Sequence, residues 1–348
     1  MAFNVNLDGN LNYETYNGSE LIYFDDSKVF GEINNDNLDI ILDLKHFDSK
    51  IKLVFRLNFK EQRLSQILLD LDKIRVEQLL KMWPKGFKES VYFWMKNNSS
   101  GEISNLLLSS NVYKNNDKLL SENLKGKFDF SGTKIKYMDS MPIIENINGN
   151  AKIKNDKIIF SILSGESNNL KINSGTVRLY NLDSDFEKAN IDLEIFSSNQ
   201  NVVNYLSMSP INEKNYSRLL NINGDNTVNL NLRFPLLVDL LAEEIEYSSD
   251  VLIENSVFLD VFNNYNLDNF NLRIKISNSL ISYEGSGELF GSLAEFKGEQ
   301  SIKNNEFIDE INGTYVLKPF FKDYFFPESD MIPNGDIKIS FTILENDQ

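Results

Sequence analysis

The chain has 348 residues and carries 51 acidic against 35 basic side chains, a formal net charge of −16. That balance argues against a nucleic-acid partner, because phosphate binding needs a basic surface. The chain contains no cysteine, which excludes disulfides, thiolate metal sites and a cysteine nucleophile. Its hydrophobic content of 41% is typical of a folded chain and not of a disordered one.

The first predicted element is a strand. Residues Met1 to Leu7 alternate between polar and apolar, and they lack the basic and apolar regions of a secretory signal. No apolar stretch approaches the roughly 20 residues that a membrane-spanning helix needs. Residues 1–63 are assigned to an N-terminal β segment. Because the chain starts inside a predicted strand, we expect it to be a fragment of a longer protein.

A helical pattern begins at Leu64. Apolar residues recur at intervals of three and four as far as Trp83, and a second amphipathic stretch includes Trp94. The spacing predicts a helical insertion at about residues 64–96, and residues 64–100 are assigned to it as a segment. The stretch is locally basic, so two interpretations are open. The helices plug the sheet by packing their apolar stripe on it, which we favour, or their lysines and aromatics contact lipid headgroups.

From residue 101 to residue 348, alternation with a period of two dominates, as in residues 228–234 and 271–276. Strands with one apolar and one polar face are typical of antiparallel sheets that face water on one side. A weak repeat accompanies this pattern: residues 144–160 align with residues 267–283 without a gap, and residues 309–315 echo the start. The repeat predicts hairpin units stacked along one long sheet, with an ordinary antiparallel sandwich as the alternative.

The sequence offers little catalytic chemistry. The only histidine, His46, lies near a predicted turn and is interpreted as a surface side chain, since no nucleophile motif accompanies it. One histidine without cysteine excludes the usual zinc sites. The run Gly285-Ser286-Gly287 is not followed by a helical pattern, so we interpret its glycines as sites of a bulge or bend and not as a dinucleotide loop.

We therefore expect no enzymatic activity and no cofactor. A polysaccharide-acting β-solenoid enzyme is a weaker alternative, because the acidic side chains scatter over the polar strand faces and do not cluster on one. Asparagine is abundant, and individual asparagines are attributed to the codon composition of an AT-rich genome and given no role.

Several motifs, taken in order, resemble those of one known family. A helical stretch with Trp83-Pro84 leads through Trp94 to Gly101, which opens a strand; later come the runs 141–149 and 285–293. In this order they resemble the AsmA-like superfamily, specifically its YhdP-type branch, which is related to the TamB-type intermembrane phospholipid transport proteins. The resemblance extends from about residue 60 to the end of the chain.

The resemblance implies a mainly β fold in which a long, curled antiparallel sheet forms an open apolar groove. Family members are envelope proteins of diderm bacteria, anchored in the inner membrane by an N-terminal helix, for which we expect no counterpart within residues 1–348. They extend through the periplasm, pass phospholipids between inner and outer membrane and so support outer-membrane integrity. Phospholipids are the expected partners, with inner- and outer-membrane proteins as further candidates. The alternative is a structural or adhesive envelope scaffold with a closed apolar core.

The candidate lipid-contacting side chains are the apolar members of the alternating strands in residues 101–348. Each methylene of an acyl chain that they cover would contribute about 0.8 kcal/mol. The predicted set is Phe128, Phe130, Ile135, Ile153, Ile158, Phe160, Ile172, Val177, Leu179, Ile191, Leu193, Ile195, Leu230, Leu232, Leu272, Ile274 and Ile276.

Overall fold

The computed structural model describes residues 2–346 except 17, 47, 61–62, 84, 86–88, 116–117, 140, 185, 209–220, 238–239, 263, 304–305 and 320–334. The described part contains nineteen strands, three α-helices and one 3₁₀ turn. Strands pair antiparallel with their neighbours along the chain. The predicted class, a mainly β fold built on a long, open antiparallel sheet of consecutive hairpins, is confirmed.

The elements follow one another with short connections in most places. The strands are β1 (Ala2–Thr15), β2 (Gly18–Asn34), β3 (Asn37–His46), β4 (Ser49–Asn58), β5 (Arg63–Arg75), β6 (Ser99–Asn115), β7 (Lys118–Ile135), β8 (Ile144–Lys154), β9 (Lys157–Ser167), β10 (Leu170–Tyr180), β11 (Lys188–Ser198), β12 (Ile222–Asn223), β13 (Asp225–Pro235), β14 (Glu246–Phe262), β15 (Tyr265–Ser277), β16 (Leu280–Leu289), β17 (Ser292–Lys303), β18 (Glu306–Leu317) and β19 (Ile337–Asn346). The helices are α1 (Val76–Lys81), α2 (Glu89–Asn98) and α3 (Asn199–Met208), and the 3₁₀ turn is Ala242–Glu244.

Contacts between residues group the chain into two compact units. The first comprises Met1–Ser167 with Thr176–Ala189, and the second comprises Asn168–Gly175 with Asn190–Gln348. In the first unit, each strand from β1 to β8 pairs with the next one, which extends the series to β9. In the second, each strand from β13 to β18 pairs with the next one, which extends the series to β19. The assignment of residues 1–63, 64–100 and 101–348 to separate segments stays a prediction.

The predicted helix start at Leu64 is wrong, because residues 63–75 form strand β5 and the helices begin only at Val76. The misleading spacing arises because β5 has apolar residues on both faces. Leu68 lies opposite Val54 on β4, while the next residue, Leu69, lies opposite Leu53 and so points to the other face. Two apolar faces superimposed in one strand mimic the three- and four-residue intervals of a helix.

A local break in the alternation of β5 at Asp72 adds to its helix-like spacing of apolar residues. The Asp72 carboxylate accepts hydrogen bonds from the backbone N–H of Lys50 at 2.8 Å and of Lys73 at 2.7 Å. Leu71 and Ile74 are both buried in one cluster although they are three residues apart. In a regular strand that spacing would place them on opposite faces, so the chain changes face between them.

The helical insertion is part of the first unit and packs within it. Val76 and Leu80 of α1 and Tyr92 of α2 form a buried cluster, with Trp83 and Ile103 packed around it. This is the packing that the plug interpretation predicts for part of the helical surface. None of the helices in the described segments is both long enough and apolar enough to cross a membrane.

Candidate functional site

The candidate site is the apolar face of the sheet, which in the first unit is centred on β7, β8 and β9. Phe128, Ala151 and Phe160 lie directly opposite one another on these strands. The ring centroids of Phe128 and Phe160 lie 6.1 Å apart, and those of Phe130 and Phe160 also lie 6.1 Å apart, in edge-to-face geometry. Offset and edge contacts of this kind are the preferred aromatic arrangements. The three strands thus present one continuous apolar surface around the small side chain of Ala151.

The second unit carries an equivalent row across β13 to β16. Val228, Val251, Ile274 and Tyr283 lie opposite one another in successive pairs. Side chains alternate along each of these strands, so the residues immediately before and after each member of the row point to the other face. Phe270 anchors this surface, since only 1% of its side chain is exposed. Sequence alternation therefore placed these apolar residues on a common face in each unit.

Most of the seventeen predicted residues are only half-buried. Phe130, Ile172 and Leu272 are buried. The other fourteen are of intermediate exposure: Phe128, Ile135, Ile153, Ile158, Phe160, Val177, Leu179, Ile191, Leu193, Ile195, Leu230, Leu232, Ile274 and Ile276. Apolar residues inside a closed core are mostly buried completely. A row of half-exposed aliphatic side chains is what a sheet face presents when little covers it.

The structure brings several of the predicted residues together in clusters within each unit. In the first unit, Phe128, Ile135 and Phe160 pack on a cluster that includes Phe130. In the second, Leu272 and Ile274 belong to one cluster. Val177 and Leu179 belong to the first unit, whereas Ile172 on the same strand belongs to the second.

Ion pairs mark the opposite, polar face. Arg56 on β4 holds Asp39 on β3 through two hydrogen bonds, Nε to Oδ1 and Nη2 to Oδ2, each 2.8 Å long. Arg273 on β15 grips Asp250 on β14 in the same way. The hydrogen bond from the arginine holds the pKa of each carboxyl, Asp39 and Asp250, below its usual value. On β15 the charged Arg273 therefore points away from the face that carries Leu272 and Ile274.

Glycines opposite aromatic rings are a feature of the apolar face that sequence analysis missed. Tyr283 lies opposite Gly298, and Phe296 lies opposite Gly285. A Cβ atom at either glycine would overlap the ring of its partner. Gly285 sits in regular register with Leu272 and is not a bulge, so the prediction is wrong for this glycine, whereas the register shift of the same strand pair lies between Asp268 and Asn271, beside Gly287. The available signal was its position, since Gly285 has the same alternation as the apolar residues of its strand.

A second missed feature is a pair of asparagine-capped bulges at equivalent positions of the repeat. Asn146 adopts a positive φ of 54°, where the register between β8 and β9 shifts. The side chain of Asn148 fixes this bend: its Nδ2 donates to the Asn146 carbonyl at 2.9 Å, and its Oδ1 accepts from the Gly132 N–H at 3.0 Å.

The second copy reproduces these contacts. Asn269 has a φ of 49°, and Asn271 Nδ2 donates to its carbonyl at 2.8 Å. Asn271 Oδ1 accepts from the Asn255 N–H at 3.0 Å. The attribution of all asparagines to genome composition is therefore wrong for these positions, because asparagine tolerates the left-handed conformation better than most residues. In the third, partial copy at residues 309–315, the equivalent position is Glu310. It pairs in regular register with Glu299, so no bulge forms there.

Among the described residues, no group of three or more acidic or histidine side chains is arranged to hold a metal ion. His46 ends β3, and its side chain lies outside the described part of the structure. The interpretation of His46 as a surface residue stays a prediction.

Comparison with known proteins identifies the family to which the chain belongs. The family model described as YhdP protein matches residues 32–348, which is most of the chain. Neither the curated proteins nor the solved structures include a significant match. The family match agrees with the order of sequence motifs and with the mainly β architecture. The chain therefore belongs to the YhdP protein family.

Proposed function

We propose that this chain is a non-enzymatic scaffold that passes phospholipids between the inner and outer membranes of a diderm bacterium. Its place would be the periplasm, and its partners would be phospholipids together with envelope proteins at either membrane. Membership of the YhdP family supports a lipid-transport role in general. The acyl chains would lie on the apolar sheet face while the headgroups stay in water.

The observation that carries this proposal is the half-exposure of the apolar rows. Ile339 and Phe341 on β19 continue the apolar face of the second unit, and each is 38% exposed. Such a surface gains about 25 cal/mol for every Å² of apolar area that a ligand removes from water. An alkyl chain can cover this apolar area without directional contacts, which suits a path along which ligands must move.

The aromatic–glycine pairs support movement along the face. Because glycine has no side chain, the ring of Tyr283 can occupy the space above Gly298 and lie close to the backbone. The ring then does not stand up as a barrier. Along the row through Val251 and Ile274, an acyl chain would exchange one aliphatic contact for a similar one, so the energy would change little with position.

The alternative is a structural or adhesive envelope scaffold whose apolar face is closed. The fully buried parts of the face favour it, since Ile253 and Phe270 in the second unit are each only 1% exposed. In that case the half-exposed rows would be covered by protein and would hold no lipid.

Extraction and mass spectrometry of lipids bound to the purified chain separate the two. Ile276 and Lys275 are adjacent on β15 and point to opposite faces. Ile276→Glu should reduce the bound phospholipid severalfold, because it places a charge on the acyl path. Lys275→Glu is the matched control and should leave it unchanged. The proposal fails if the wild-type chain carries no phospholipid, or if both variants lose it equally.

A further inference from the structure

Helix α2 carries exposed aromatic side chains on its outer surface. Its buried side is defined by Tyr92, which is 1% exposed. With about 100° of rotation per residue, Trp94 lies about 160° round the helix from Tyr92, and Phe93 lies about 100° away. Phe93 and Trp94 are each 49% exposed. Asn97 lies between them on the outward side and is also exposed.

The helix is held firmly enough to present these rings. The Tyr92 ring stacks on Tyr16 with centroids 4.3 Å apart, and Phe93 meets the edge of the same Tyr16 at 5.6 Å. The Trp83 ring centroid lies 6.5 Å from that of Tyr92. Packing of the helix thus buries Tyr92 but leaves Phe93 and Trp94 half exposed to water. The plug interpretation alone does not explain these exposed aromatic side chains.

The charge around α2 differs from that of the rest of the chain. Residues 73–96 contain six lysine or arginine side chains and two glutamates, in a chain whose formal net charge is −16. Lys81, Lys85 and Lys96 are exposed. Lys96 Nζ lies 5.7 Å from the Tyr92 ring centroid, and at about 100° per residue Lys96 is displaced from Tyr92 toward the side of the helix that carries Phe93. Exposed aromatics bordered by lysines are typical of helices that lie on anionic lipid surfaces.

We propose that α2 docks the chain onto an anionic phospholipid bilayer, with Phe93 and Trp94 inserted at the headgroup level and the neighbouring lysines facing the lipid phosphates. The strongly acidic remainder of the chain is repelled by the same surface, so attraction is confined to this segment. This surface is separate from the apolar sheet face and does not depend on lipid being carried there.

The chain contains two tryptophans, so Trp83→Phe leaves Trp94 as the single fluorescent reporter. The full chain with this substitution is mixed with vesicles of equal parts phosphatidylcholine and phosphatidylglycerol whose acyl chains are brominated. Trp94 emission should shift to shorter wavelength and be quenched. Vesicles of phosphatidylcholine alone should change it little, because the lysines then have no anionic surface to face.

Co-sedimentation with the same vesicles tests the side chains themselves. Phe93→Ser with Trp94→Ser should weaken binding about tenfold. The control is Leu163→Ser with Phe186→Ser, which removes two apolar side chains that are 64% and 75% exposed elsewhere and should not change binding. The proposal is overturned if the chain binds neither vesicle, binds both equally, or binds unchanged without Phe93 and Trp94. The Ile276→Glu variant, which alters only the apolar sheet face, should bind vesicles as the wild type does. Loss of bound phospholipid and loss of vesicle binding can therefore be told apart.

Discussion

The ring of Tyr283 on β16 lies over Gly298, the residue directly opposite it on β17. Tyr283 packs at the same time on the buried cluster of the second unit. The pair joins two properties of the apolar face: the ring supplies contact area, and the glycine lets that ring lie low on the sheet. The same relation joins Phe130 to Gly149 in the first unit.

Gly298→Ala should therefore destabilise the chain by about 1–3 kcal/mol, because the added methyl group overlaps the Tyr283 ring and forces it to move. The measurement is urea unfolding followed by circular dichroism. Tyr283→Leu in the same chain removes the ring, so the double variant should lose less stability than the sum of the two single variants. Strict additivity would show that the ring and the glycine do not interact.

The asparagine-capped bulges give a second prediction. Asn146→Ala or Asn269→Ala should each cost about 1 kcal/mol of unfolding free energy, since alanine is strained at positive φ. Glycine at either position should cost less than alanine, because it has no Cβ. Asn229→Ala, at an exposed position of β13, serves as the control and should change stability little. Equal effects at all three positions would contradict a conformational role for Asn146 and Asn269.

Acid should weaken the Arg56–Asp39 ion pair. Because the folded state holds the pKa of Asp39 below its usual value, the pair contributes stability above about pH 4, and this contribution disappears as the pH falls through the folded pKa. Arg56 is 44% exposed, so the contribution should stay below about 1 kcal/mol.

Asp39→Asn tests this relation. The variant should be slightly less stable than the wild type at neutral pH, and the difference should shrink as the solution is acidified and as salt is added. Unfolding free energies measured by urea titration across the acid range give the comparison. A difference that stays constant over that range would show that the carboxylate charge is not its cause.

The fold could be predicted from sequence because a period of two survives in nearly every strand of residues 101–348. The strand β5 could not, since Leu68 and Leu69 supply apolar groups to both faces and produce helical spacing. Local periodicity cannot separate these two cases when the apolar run is short.

The candidate site was predictable in part for a similar reason. Alternation identified residues such as Leu272 and Ile274 as members of one face, but whether anything covers that face depends on contacts distant in sequence. The pairing of Tyr283 with Gly298 depends on the register between two strands. The bulge at Asn146 depends on the partner strand that supplies the Gly132 amide, so neither could be deduced from a local pattern.

Photocrosslinking in living cells shows directly whether phospholipid occupies the apolar sheet face. A photoreactive residue is placed at Leu193 or at Ile274 on the apolar face, and at Lys275 on the polar face of the same strand as Ile274. If acyl chains lie on the apolar face, phospholipid adducts form at Leu193 and Ile274 and none form at Lys275. Absence of lipid at both apolar positions, or equal labelling at Lys275, would contradict this placement of the acyl chains.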